Sequence, residues 1–223
     1  MIDRRVNPLD VEEVMDPPNE HWAAKRELAD EFRTMADLLM TSTPAPEDLR
    51  RISQYLRQQR AVFEESPRTF GRMEFYRQEN QSPYVHIEMN PLCGHGNPIA
   101  PPVNSWLKDD EAYGSVNMGW QYEGPPGSVH GGFIAAVFDD FLGMAQRLTN
   151  SPGMTGTLTV RYRKPTPLNT DLKLHGYVKS SEGRKNVLVG TMHADGVLTA
   201  ECEGLFIGFP KEAMRQYIEQ QPR

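Results

Sequence analysis

Apolar residues recur at helical spacing in three stretches of this chain and at strand spacing in its last third. From Asn19 to about Met40, the set Trp22, Leu28, Ala29, Phe32, Met35, Ala36 and Leu39 predicts one helix. Thr41 to Pro46 is a break, and a second helix starts there, with Pro46 suited to a first turn and Glu47 and Asp48 facing the positive helix end. Its stripe is Leu49, Ile52, Tyr55, Leu56, Val62 and Phe63. Both helices read as amphipathic packing elements. The third stretch, Ser128 to Ala145, is apolar almost all round, the pattern of a buried helix. It nevertheless begins at His130-Gly131-Gly132 and carries Asp139 and Asp140 side by side in its middle. Desolvating an unpaired carboxylate is costly, so an acid there implies use or pairing.

Strands fill most of the remainder. Tyr84 to Met89 and Gly114 to Tyr122 are short candidates, separated by a turn-rich loop over Pro91 to Pro102. Gly124-Pro125-Pro126-Gly127 breaks the chain before the central helix. Beyond it come candidates at about 155–163, 171–180, 185–194 and 197–208, the first alternating with period two. Asp195-Gly196 is the pair favoured in a tight type I′ hairpin, and Gly183 serves the turn before it. An antiparallel sheet wrapped round one apolar helix buries that helix, giving an α+β arrangement. Residues 1–18 read as a loosely held polar arm.

Composition narrows the function. The 223 residues carry a formal net charge of −6, which gives no general attraction to nucleic acid or membrane surfaces. Two cysteines, Cys93 and Cys202, are too few for a disulfide framework and fit a reducing cytoplasm. No apolar run approaches the ~20 residues of a membrane span, and no secretory signal follows Met1. The six histidines lack metal-ligand spacing, and Gly-x-Ser-x-Gly, Rossmann and P-loop patterns are absent.

His130-Gly131-Gly132 with Asp139 nine positions after the histidine resembles the hotdog-fold acyl-CoA thioesterases of the phenylacetyl-CoA thioesterase-like group. The likeness extends through Gly124-Pro125-Pro126-Gly127, Arg161-Tyr162-Arg163-Lys164-Pro165 and Glu182-Gly183-Arg184-Lys185, covering about residues 84–209. It implies a hotdog fold with a two-helix N-terminal extension: residues 1–66 as extension, 67–210 as hotdog domain and 211–223 as a helical tail. It also implies hydrolysis of acyl-CoA thioesters, with coenzyme A as part of the substrate and no separate cofactor or metal. The family works as a homodimer or a dimer of dimers.

The site residues follow partly from physics and partly from that resemblance. Gly131 and Gly132 stand at a helix start, where N–H groups lack internal partners and missing side chains admit a thioester carbonyl. A donor to the developing oxyanion is worth about 3–4 kcal/mol of barrier. A helix rises about 1.5 Å per residue, which puts Asp139 roughly 13 Å from His130, so one carbonyl meets both only across two subunits. Asp139 and Asp140 diverge by about 100° on a helix, and the family spacing selects Asp139 as general base or nucleophile. His130 orients the loop or the thioester, or simply fixes the turn. Thr155, sixteen residues after Asp139, matches a family threonine that positions the water. Arg161, Arg163, Arg184 and Lys185 match the family's coenzyme A contacts, and guanidinium groups suit phosphate. Hotdog hydratases carry a histidine five residues after the catalytic aspartate, where this chain has Met144. The alternatives are a non-catalytic module binding acyl-CoA or an acyl carrier protein, and a regulatory dimer whose N-terminal helices cover the acyl channel.

Overall fold

The computed structural model describes residues 16–68, 85–149, 151 and 153–209. Residues 1–15 of the arm expected over 1–18, and the expected tail over 211–223, lie outside them. Helix α1 spans Glu20–Thr41, with Asn19 capping it by accepting the Trp22 N–H at 3.1 Å. Helix α2 spans Pro46–Glu65, with Pro46 in the first turn as the sequence predicts. The apolar stripes are packed only in part. On α1 the inward residues are Trp22, Ala29 and Arg33, while Leu28, Phe32, Met35 and Leu39 are exposed. No residue of α2 is buried in its own chain. The expected packing role is not met by α2 and holds on α1 for Trp22 and Ala29 of its stripe, the Trp22 ring lying against Gly96, with polar side chains such as Arg33 completing the tie to the body.

Helix α3 (Val85–Glu88) stands where the described part of the strand expected over 84–89 would lie. Arg26 reaches Glu88 with two hydrogen bonds of 2.6 and 3.0 Å, and Asn90 N–H closes the turn on Ile87. That clamp overrides the local strand pattern. Strand β1 (Asn104–Lys108) and strand β2 (Glu111–Val116) form a hairpin. Its turn residues Asp109 and Asp110 have φ of 50° and 62°, a type I′ conformation made without glycine. The charged pair reads as loop in the sequence, which hides β1. The strand expected over 114–122 stops at Val116, opposite the first residue of its neighbour, Leu172, and Trp120–Tyr122 form a 3₁₀ turn instead.

The remaining elements follow the expected order: α4 (Gly131–Ala145), β3 (Gly153–Tyr162), β4 (Leu172–Glu182), β5 (Lys185–Ala194) and β6 (Val197–Gly208). The six strands run β1-β2-β4-β5-β6-β3, every pairing antiparallel. Ala112, Gly176, Gly190 and Cys202 lie in register across four strands. This row of small residues lets α4 sit close: a Cβ on Gly176 would stand 2.9 Å from Phe141, and one on Gly190 3.2 Å from Phe138. The seated helix face is Ile134, Val137, Phe138, Phe141, Leu142 and Ala145. The opposite face, with Gly132, Phe133 and Asp139, is exposed. The sequence reading of a helix buried on all sides is therefore corrected, since one sheet covers only one side. Among the described residues no helix is long and apolar enough to cross a membrane, and no three metal-binding side chains cluster.

Candidate functional site

The start of α4 is held from several directions. Gly127 turns with φ of +70°, and its N–H donates to Glu123 Oε1 at 2.7 Å. Val129 N–H bonds Thr166 O at 2.8 Å and His130 N–H bonds Tyr122 O at 2.9 Å. His130 is the N-cap: its Nδ1 accepts the Gly132 N–H at 3.0 Å, so the neutral ring carries its proton on Nε2. Phe133 and Ile134 N–H both reach the His130 carbonyl. The histidine thus fixes the turn, one of the two roles open from the sequence. Gly132 has its donor occupied, whereas the Gly131 N–H precedes the first intrahelical bond and has no partner among the described residues.

Tyr162, at the end of β3, closes the other side of this turn. Its hydroxyl donates to the Gly131 carbonyl at 2.8 Å, and a Cβ on Gly131 would meet its ring at 3.3 Å. Sequence reasoning gave Tyr162 no role, although its period-two alignment with Val160 placed it on the helix side of β3.

Two turns of helix further on, the adjacent carboxylates separate as their 100° divergence requires. Asp140 accepts the Asn90 Nδ2–H at 2.7 Å, and Asn90 Oδ1 in turn holds the Leu92 and Cys93 N–H groups. Asp140 is a tie to the loop beside α4. Asp139 lies on the open face and accepts the Thr155 hydroxyl at 2.7 Å. This pairing needs a β-bulge. Thr155 is opposite the buried Phe206, but Thr157 is opposite Leu205, so the register slips at Gly156. Without that extra residue, alternation would aim Thr155 and Thr157 at the same face. Cys202 lies below the pair. Burial, reinforced by the Asp139 charge, pushes its thiol up to about 12, so it stays protonated and is no nucleophile at neutral pH.

The four candidate phosphate-binding cations do not meet within one chain. Arg161 and Arg163 both turn to Glu201, the former at 3.9 Å. Arg184 donates to the Gly208 carbonyl at 2.8 Å. Arg161 is opposite Glu201, and Lys185 is opposite Ile207, six residues along β6. At about 3.3 Å per residue the two pairs stand roughly 20 Å apart. Gly131 and Asp139 are likewise held apart, by about 12 Å of helix rise.

No family model matches the sequence. A crystal structure of a thioesterase superfamily protein is 32% identical, covers 87% of this chain and 94% of its own, and superposes with a TM-score of 0.73. The chain belongs to the thioesterase superfamily. Its six-stranded sheet around α4 is the hotdog fold of that family, extended by α1 and α2. Among curated proteins it is similar to acyl-coenzyme A thioesterase THEM4 of Xenopus laevis, 38% identical over 87 residues, which is 38% of this chain and 39% of that protein. THEM4 of Mus musculus is 32% identical over 96 residues, 42% of this chain and 41% of that protein. The chain spans about two fifths of the length of these curated relatives.

Proposed function

We propose that this protein hydrolyses acyl-CoA thioesters to the free acid and coenzyme A, at sites shared by two copies of the chain. The observation that carries the reading is the Asp139–Thr155 pair on the open face of an otherwise apolar helix, with the unpartnered Gly131 N–H at its far end. Two further features support a shared site. Strand β3 is a ten-residue sheet edge whose outer side is unpaired among the described residues, and such an edge invites pairing. The neighbouring face of α4 exposes Phe133. A two-fold pairing of β3 with its copy, run antiparallel, sets the Gly131 end of one chain beside the Asp139 end of the other. The same operation carries Arg161 and Arg163 of one chain toward Arg184 and Lys185 of the other, where they would take the phosphates of coenzyme A.

In this scheme Asp139 accepts a proton from water while the water oxygen attacks the thioester carbonyl carbon. The Gly131 N–H of the other chain receives the carbonyl oxygen as it becomes an oxyanion. Collapse of the adduct breaks the C–S bond, and the departing thiolate takes up a proton to leave as coenzyme A. If Asp139 attacks the carbon itself, the C–S bond breaks, coenzyme A leaves as the thiolate and takes up a proton, and water cleaves the resulting mixed anhydride at the Asp139 carbonyl carbon. Single turnover in ¹⁸O-labelled water then leaves label in Asp139, whereas direct attack by water puts it in the product acid. Thr155 fixes the carboxylate and His130 fixes the helix start. Residues 1–66 are an accessory extension to the hotdog domain, and a reducing cytoplasm suits two free thiols.

The test is thiol release from acetyl-, longer acyl- and phenylacetyl-CoA by the wild type and Asp139→Asn. The expected result is release that falls at least ~100-fold in the variant. Coenzyme A binding without release from any ester would favour the binding-module reading.

A further inference from the structure

Helix α1 lies outside the hotdog unit, yet polar clamps join the buried Trp22 and Ala29 on its inward face. Arg33 donates to the carbonyls of Asn97 at 2.7 Å and His95 at 3.0 Å. One helical turn later, Asp37 Oδ1 accepts the Trp120 N–H at 2.7 Å. Asp37 also packs so tightly against Gly119 that a side chain there would strike its carboxylate. The clamped segment leads directly to the candidate site. Trp120 begins the 3₁₀ turn, which Tyr122 N–H closes on Gly119 O at 3.1 Å. The Tyr122 carbonyl then holds the His130 N–H, and its ring meets Phe133 edge-on at a centroid distance of 4.9 Å. Tyr122 is itself buried and its hydroxyl donates to Ile99 O at 3.2 Å, two residues beyond the carbonyl gripped by Arg33. Arg33 and Asp37, spaced i and i+4, therefore grip both supports of Tyr122 from one helix face.

We infer that α1 is a selectivity element of the thioesterase site. Asp37 is a positioning residue that fixes the Trp120–Tyr122–Phe133 wall against which the acyl group lies. Trp120 and Phe133 remain 40% and 36% exposed, and such part-open aromatic surface suits an extended or aromatic acyl group. The donor in this bond is the main-chain N–H of Trp120, so Asp37 sets where the turn sits and not merely how one side chain points. The part concerning the acyl group rests on the thioesterase reading. The mechanical link from Asp37 to the His130 turn does not.

The test compares Asp37→Leu, which removes the acceptor, with Asp37→Asn, whose amide oxygen can still receive the Trp120 N–H. In full-length protein without substrate, amide exchange of residues 118–130 should accelerate at least about tenfold in Asp37→Leu, with β5 and β6 unchanged and Asn near wild type. In kinetics, Asp37→Leu should lower kcat/KM about tenfold for phenylacetyl-CoA and less than about twofold for acetyl-CoA, and Asp37→Asn should restore it. Unchanged exchange at 118–130 would overturn the link to the turn. Equal losses on both esters would overturn the selectivity role, because a merely structural defect lowers them together. If the wild type hydrolysed no ester, the exchange data would still decide the link, so failure of the activity and failure of the coupling read out separately.

Discussion

Replacing Thr155 by valine removes one hydroxyl from the candidate site and almost nothing else. The side chains are close in shape, and valine is at home in an edge strand. The lost contact is the 2.7 Å hydrogen bond onto Asp139 Oδ1. A bond to a charged group is worth about 1.5–3 kcal/mol when sheltered, and both partners are exposed in the single chain. Discounted for that exposure, about 1–1.5 kcal/mol remains for holding the carboxylate toward the reacting carbon, or roughly tenfold in kcat. Folding should change by less than about 0.5 kcal/mol, because no buried group loses a partner. Steady-state thiol release measures the first quantity and urea unfolding the second. Thr155→Ser keeps the hydroxyl and should stay within about threefold of wild type. An undiminished kcat in Thr155→Val, or a loss in Thr155→Ser as large as in valine, would refute the argument that the bulge exists to bring this hydroxyl to Asp139.

Two other predictions concern groups around the fold. His130→Asn should preserve stability, since asparagine caps helices well, whereas His130→Ala should lose about 1 kcal/mol in urea unfolding; equal stabilities would remove the capping role. Glu111 is held below its ordinary value of 4.5, chiefly by the Tyr113 hydroxyl at 2.6 Å, with His175 assisting against desolvation. A lowered carboxylate contributes stability that is complete above 4.5 and lost as pH falls through the lower folded value. Glu111→Gln should therefore lose less stability than wild type over that acid range, and parallel acid profiles would discount the pair.

The parts of the fold legible in the sequence are those with a repeating local signal. The last two strands were framed by Asp195-Gly196, whose φ values of 48° and 75° fit the predicted turn. The central helix was marked by its apolar run and its His130-Gly131-Gly132 start, and Asp139 stood out because acids are rare in such a helix. What escaped depended on partners distant in sequence. The inward face of α1 is completed by Arg26, Arg33 and Asp37 reaching partners 60 or more residues away, so periodicity found the buried Trp22 and Ala29 but also drew in Leu28, Phe32, Met35 and Leu39, which are exposed. Strand β1 turns on two aspartates, where the usual cue would be glycine. The bulge at Gly156 is invisible to a period-two count, although it decides which way Thr155 points. The four basic residues looked like one cluster along the chain, but strand geometry sets the pairs apart.

Subunit complementation tests the shared site most directly. Asp139→Asn removes the acid, and Gly131→Pro removes the free N–H at a first helical position, where proline is well tolerated. His130 already has φ of −60° and ψ of 130°, an extended conformation compatible with a following proline. Each variant alone should be nearly inactive. Produced together in one cell, they should form heterodimers in which one of two sites is intact, giving about a quarter of wild-type activity for random pairing. A mixture no more active than the separate variants, with heterodimers demonstrated by mass, would contradict a site built from two chains.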